Sequence, residues 1–347
     1  MRTRLGIVAS LVTVTIAAAP AAPLAAAERV THLDTAAVEI DSRPLAVFPG
    51  GFTGLDATPI PGVFLAVSGD GDPARFRTFR IPLGPDGRFT SNRVEVLADS
   101  PLRDAAGSLD SSAGFTPGAV RLADGDVLVA STAKSRSGAV PSLNGFDITG
   151  THVRDYSLPR SWMPGAAGGS GIAVAPSTLG AAIHGGLITA ISGGPLRQDS
   201  AHPGGPRARL AQIDRYSGIV AREHAYELSM DGRARVTGIL ALSNTDYLIV
   251  ERGEGADGQP ASRLYKASTL GATDIAGAHE LSGSETPLAT ELLLDLGTLG
   301  VQPGAIEAIS PGPVLADGSR TVILATGSND AGDDATASHI HVLRLEP

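Results

Sequence analysis

No cysteine occurs among the 347 residues. Disulfides, thiolate metal sites and a lipid-modified N-terminal cysteine are therefore excluded, and stability must come from the packing of the chain itself. Lysine is nearly missing too, with Lys134 and Lys266 the only two. The other basic residues are arginines, whose planar guanidinium suits two-point contacts to carboxylate or phosphate; a GC-rich coding sequence would produce the same bias. After the first 27 residues no run approaches the ~20 apolar residues needed to cross a bilayer, and helical periodicity is weak. There is no H-E-x-x-H, Walker loop or dinucleotide loop, and the eight histidines are scattered, two of them alternating as His339-Ile340-His341. Zinc, nucleotide and flavin chemistry are thus not indicated. Gly168-Gly169-Ser170-Gly171 does not complete a nucleophile elbow, because position 172 is Ile.

The N-terminus has the build of a secretory signal peptide: basic Arg2 and Arg4, apolar Leu5–Ala19, and the small residues Ala25-Ala26-Ala27 before Glu28. Residues 1–27 are expected to be cleaved, leaving residues 28–347 as one exported domain that is soluble and not membrane-bound. Without Arg2 and Arg4 the chain carries 25 basic and 36 acidic side chains, a formal charge of −11. So acidic a surface disfavours nucleic acid and anionic membranes and makes cations plausible partners. A monomer is expected.

Glycine (43) and proline (24) are spread along the chain between short β-branched runs, with turn signals such as Pro85-Asp86-Gly87, Asp124-Gly125 and Asp317-Gly318. That punctuation reads as many strands joined by turns. One pattern recurs five times: a small-residue opener, then a second apolar strand. The openers are Thr53-Gly54-Leu55, Pro117-Gly118-Ala119-Val120, Ser170-Gly171-Ile172, Thr237-Gly238-Ile239 and Ile306-Glu307-Ala308-Ile309; the strands after them are Val63–Ser68, Val127–Ser131, Leu187–Ser192, Tyr247–Glu251 and Thr321–Thr326. From Gly54 through Gly118, Gly171 and Gly238 to Ala308, the steps are 64, 53, 67 and 70 residues. A unit of that size holds about four strands, one blade of a β-propeller. The expected fold is all-β, a propeller of five four-stranded blades, with room for a sixth in Asp99–Phe115 or Gly193–Pro206. A spare N-terminal strand (Ala36–Ile40 or Leu45–Phe48) is expected to complete the last blade and close the ring.

Three motif groups resemble the family called "esterase-like activity of phytase": Gly54-Leu55-Asp56 with Phe64–Asp70 and Ala74-Arg75-Phe76; Tyr247–Gly253 with Arg263-Leu264-Tyr265-Lys266; and Ile306-Glu307-Ala308-Ile309 with Leu324–Asp330. The resemblance spans about Leu45 to Leu345 and implies a secreted phytase-like propeller with Ca²⁺-dependent hydrolysis of a phosphorylated small molecule. The sequence departs from the family where carboxylates are expected to open blades two and three, with Pro117 and Ser170 in place of glutamate.

Metal-assisted attack on phosphorus needs several converging oxygen ligands. The candidates are Glu307, inside an apolar opener, with Asp70, Asn329 and Asp330 at inner strand ends. For Glu307 the alternative is a buried carboxylate satisfied by backbone donors or Arg252; for the others it is turn capping. Asn329–Asp334 is oxygen-rich but not spaced as an EF-hand, and a solvated acidic loop is its alternative. Arg252 either clamps phosphate or pairs with Glu251 or Glu307. Glu307 and Arg252 are thus the expected catalytic pair. Two other readings stand beside this one: a lactonase-like metal hydrolase, and a non-catalytic propeller that binds a ligand or partner.

Overall fold

The computed structural model describes residues 29–41, 52–68, 74–108, 115–135, 138–163, 179–200, 204–255, 258–299, 306–326 and 338–346. The expected signal segment, the alternative closing strand Leu45–Phe48, and Asp70, Ser170, Asn329 and Asp330 lie outside them.

Among the described residues, twenty strands form five four-stranded antiparallel blades. The first described strand is β1 (Arg29–Asp41). Blade 1 is β2 (Gly54–Ala57), β3 (Val63–Ser68), β4 (Arg75–Arg80) and β5 (Arg93–Pro101). Blade 2 is β6 (Phe115–Ala123), β7 (Asp126–Ser135), β8 (Gly138–Asp147) and β9 (His152–Asp155). In blade 3 the strands are β10 (Leu179–His184), β11 (Leu187–Ser192), β12 (Arg207–Asp214) and β13 (Val220–Glu227). Blade 4 holds β14 (Asp231–Ala241), β15 (Asp246–Glu254), β16 (Pro260–Ser268) and β17 (Ala289–Asp295). Blade 5 takes β18 (Ile306–Pro311), β19 (Arg320–Thr326) and β20 (Ser338–Glu346) from the end of the chain and β1 from its beginning. The described parts of 99–115 and 193–206 add no sixth sheet: residues 99–101 finish β5, and Arg197–Asp199 is a 3-10 turn.

Closure comes from β1. It pairs antiparallel with β20 from Arg29↔Glu346 onward, and its end runs parallel to β5 through Glu39↔Arg93. One strand thus bridges the last blade and the first, and the edge of β20 is covered. At this seam His341 is buried, Thr35 Oγ1 lies 2.8 Å from His341 Nδ1, and His32 Nε2 lies 2.8 Å from the same hydroxyl.

The innermost strands β2, β6, β10, β14 and β18 touch in a ring, and the apolar core lies between blades. Leu55, Phe64 and Phe79 meet Ala308, Ile323 and Ile340 between blades 1 and 5, and Tyr226 and Leu210 meet Ile239 and Ile249 between blades 3 and 4. Small residues let the inner strands approach. A Cβ on Gly54 would lie 2.8 Å from Val120 N; one on Gly180 would lie 3.1 Å from Ile239 Cγ2, and one on Gly238 2.9 Å from Ile309 Cγ2. Gly180, not Gly171, is therefore the small residue of blade 3, and its inner strand is β10 rather than one opening at Ser170-Gly171-Ile172. The register Leu179↔Ser192, Gly180↔Ile191 matches Gly54↔Val67 in blade 1. In blade 2 the matching residue is Ala119, opposite Ala130, one place after the expected Gly118. The steps between small positions become 65, 61, 58 and 70 residues, more even than the sequence spacing implied.

Candidate functional site

The inner strands begin at one end of the ring, and three of them begin irregularly. Register breaks make Gly118 in β6, Thr237 in β14 and Glu307 in β18 the extra residues of β-bulges. A bulge turns its side chain away from the regular alternation, which is why such residues often stand at functional rims. Going round the ring, the residues just before the small positions are Thr53, Gly118, Leu179, Thr237 and Glu307. Glu307 is the single carboxylate. In blades 2 and 3 the residues that take the place of Glu307 are Gly118 and Leu179.

Arg252 belongs to the same mouth. It pairs in register with Arg235 across β14 and β15. Partial burial holds the Arg252 guanidinium below its ordinary pKa, the positive charge of Arg235 pushes the same way, and the negative charge of Glu307 opposes both. Two guanidiniums and one carboxylate therefore share this end of blades 4 and 5, and Arg235 Nε finds no acceptor among the described residues. Of the two partners expected for Arg252, Glu307 acts on it. Glu251 faces away, as the next residue on a strand must. It is fully buried, accepting a 2.5 Å hydrogen bond from Tyr226 O–H and one of 3.0 Å from Ser229 N–H. Burial raises the Glu251 carboxyl pKa, and burial together with the Glu251 charge raises the Tyr226 hydroxyl well above its usual value. That pair braces the mouth from behind.

Further along the inner strands the axis is filled by Arg121, which sequence reasoning missed. Its Nη1 donates to Leu55 O (2.7 Å) and Val120 O (2.8 Å), and its Nη2 to Ile239 O (2.6 Å) and Ile309 O (3.0 Å). Those carbonyls belong to blades 1, 2, 4 and 5. Asp56 Oδ1 stands 3.7 Å away, and Asp56 Oδ2 accepts from Leu122 N–H at 2.7 Å. Burial raises the Asp56 carboxyl and lowers the Arg121 guanidinium, and each charge partly offsets the shift of the other. A planar five-donor fork is the side chain able to gather carbonyls from several directions. The signal was a charged residue inside the apolar run Ala119-Val120-Arg121-Leu122, in the same layer of the ring as Asp56.

Glu307 and Arg252 are thus together at the mouth. Where Asp70, Asn329 and Asp330 stand is outside the described residues, although β3 and β19, which precede them, end at Ser68 and Thr326 near this mouth.

Among solved structures, the chain is similar to a GH43 β-xylosidase/α-arabinofuranosidase from a compost microbial metagenome (12% identity, 92% of this chain and 96% of that one, TM-score 0.45). It is similar also to an endo-arabinase from Bacteroides thetaiotaomicron (9% identity, 89% and 98%, TM-score 0.46). A GH32 β-fructofuranosidase from Bombyx mori shares 11% identity over 88% of this chain but only 61% of its own length, with a TM-score of 0.45. No curated protein sequence matches. The profile of the phytase-like family, described as "Esterase-like activity of phytase", matches residues 49–330, and the chain belongs to that family.

Proposed function

We propose that this chain is a hydrolase-type propeller that receives a phosphorylated or otherwise anionic small molecule at the ring mouth, where Arg235 and Arg252 bind the anion beside Glu307. The observation that carries this reading is the facing of two guanidiniums next to one carboxylate among the described residues, a local excess of positive charge in a chain of formal charge −9. Guanidiniums match pairs of phosphate or carboxylate oxygens, and they counter charge that grows on those oxygens as an ester is attacked. Glu307 is the group at this place suited to take a proton from the attacking water. The water oxygen bonds to phosphorus, the ester P–O bond breaks, and the alcohol leaves with the proton that Glu307 took from the water.

Calcium is an addition to this reading. The described residues of the mouth do not by themselves fit the ion: one carboxylate adjoins two guanidiniums, and no group of three or more His, Cys, Asp or Glu residues able to hold a metal occurs among the described residues. Ca²⁺ takes six to eight oxygens, so it would need Asp70, Asn329 and Asp330 as well as Glu307. Export through cleavage after Ala27 completes the proposal, and N-terminal sequencing of the secreted chain tests it.

A second reading, a binding propeller without catalysis, is favoured by Thr53, Gly118, Leu179 and Thr237 at the places equivalent to Glu307. One experiment separates the two. Hydrolysis of p-nitrophenyl phosphate, phytate, p-nitrophenyl acetate and simple lactones is followed with Ca²⁺ and with chelator, in the parent and in Glu307→Gln and Arg252→Ala. Turnover lost in both variants supports the hydrolase. Turnover unchanged in both overturns the site, and anion binding without turnover supports the second reading.

A further inference from the structure

Away from the axis, at the outer edge of blade 3, lies another polar place. The segment joining β16 to β17 covers β13 there: Ile275 N–H donates to Glu223 O (2.8 Å) and Leu288 N–H to Ala225 O (2.9 Å). A 3-10 turn, Arg160–Trp162, closes the same region from blade 2. Between these elements is a cavity of about 450 Å³, with Leu158, Val220 and Ala276 in its apolar wall and Arg160, Glu223 and His279 in its polar one.

Glu223 is fully buried. Its Oε1 accepts from Trp162 Nε1 (2.7 Å) and Arg209 Nη1 (3.3 Å), while Oε2, equally buried, has no partner among the described residues. An unmet buried acceptor costs free energy that a ligand can recover. Arg209 cannot meet it. Its Nε and Nη2 are held by Asp199 (2.7 and 3.1 Å), and it also donates to Ala278 O (2.8 Å) and His279 O (3.1 Å). One guanidinium therefore serves two carboxylates, and one buried acceptor is left over on Glu223, a residue of the cavity wall. The surrounding loop is held in place, since Leu281 N–H donates to Asp199 Oδ1 (2.9 Å) and Ala276 N–H to Asp274 Oδ1 (3.0 Å). Such fixing lowers the ordering cost of binding.

We propose that this cavity binds a small hydroxylated organic anion, with a hydroxyl at Glu223 Oε2 in the interior and the anionic group toward Arg160 and His279 at the exposed rim. A bare inorganic anion would leave Oε2 unmet and be repelled by it; a neutral polyol would leave the Arg160 guanidinium at the rim unused. Burial raises the Glu223 carboxyl pKa, and a hydroxyl, being both donor and acceptor, suits either protonation state. The volume accommodates a single sugar ring with its substituent.

Titration calorimetry on the full chain tests this, with glucose 6-phosphate and gluconate as probes and glucose and inorganic phosphate as half-ligands. The expected result is binding of a probe at least about tenfold tighter than either half-ligand, weakened about tenfold or more in Glu223→Gln and in Arg160→Ala/His279→Ala. Arg252→Ala, in which phosphate binding at the ring mouth is weakened, serves as the background: the losses on Glu223→Gln and on the rim double variant are expected to persist in it. Absence of heat with both probes at ~10 mM, binding indifferent to the rim double variant, or binding lost only in Arg252→Ala would each overturn the proposal. Should Glu223→Gln not fold, the rim double variant, altered only at exposed side chains, decides alone.

Discussion

Replacing Arg121 by Met puts the axial guanidinium to the test. The substitution keeps an unbranched side chain but removes four carbonyl contacts of 2.6–3.0 Å and the partner of buried Asp56. Hydrogen bonds to a charged group are worth about 1.5–3 kcal/mol each, but the desolvation of a guanidinium that is only 4% exposed opposes them. The sum is therefore not the cost. Breaking one side of a buried pair typically costs about 3–5 kcal/mol, because the other charge is stranded. At roughly 2–4 °C per kcal/mol for a domain of this size, Tm should fall by about 10 °C. Adding Asp56→Asn should recover part of the loss, a coupling of about 1–3 kcal/mol, since no carboxylate is then left unpaired. Arg121→Lys should fare little better than Met, because an ammonium is a point donor and cannot reach carbonyls of four blades. Urea and thermal unfolding measure all of this. A Tm within about 2 °C of the parent for Arg121→Met would refute the account of a guanidinium tying the inner strands together.

Stability should fall on acidification through His341, whose pKa burial, then the charges of His32 and His339, hold at about 4. Because the unfolded value is about 6.5, its contribution is present in full above that pH and is lost as pH falls toward about 4. It is worth at most about 3 kcal/mol, and His341→Gln should flatten the pH profile of urea midpoints between those values. Gly54→Ala should cost about 1–3 kcal/mol, because its Cβ would meet the Val120 backbone. Gly238→Ala should cost less, since only an Ile309 methyl need move; equal losses in thermal melts would contradict this. At the mouth, Arg235→Ala and Arg252→Ala should each weaken binding of an inorganic phosphate or phosphate-ester probe by about tenfold; calorimetry showing no change in either would remove the anion site.

Much of the ring could be read from alternation and turns. Val63–Ser68 and Asp126 onward were placed correctly because Gly62 and Asp124-Gly125 leave positive-φ turns at their starts, with Asp124 at φ 47°. Blade 3 misled because residues 165–186 offer two small-residue openers, around Gly171 and Gly180. Pairing decides between them: a tight turn at Gly185-Gly186 sets His184 opposite Leu187, and only β10 reaches it. Bulges shifted the blade-2 reading by one residue, since an extra residue on one strand leaves no mark in composition. Arg252 and Glu307 stood out by their places near strand ends, and the structure brings them together; Arg235 did not, because what places it beside them is a cross-strand pairing. Arg121 and Glu223 went unread because their roles depend on carbonyls and side chains distant in sequence.

The double pairing of β1 fixes an order of events. β1 precedes the other described strands, yet its antiparallel neighbour β20 is made only after the strands of all five blades between them. Until then blade 5 lacks its outer member, and the first and fifth blades are not stitched together. Closure of the ring must therefore wait for both β1 and β20, and deletion of either strand should leave a sheet margin free to pair with another copy.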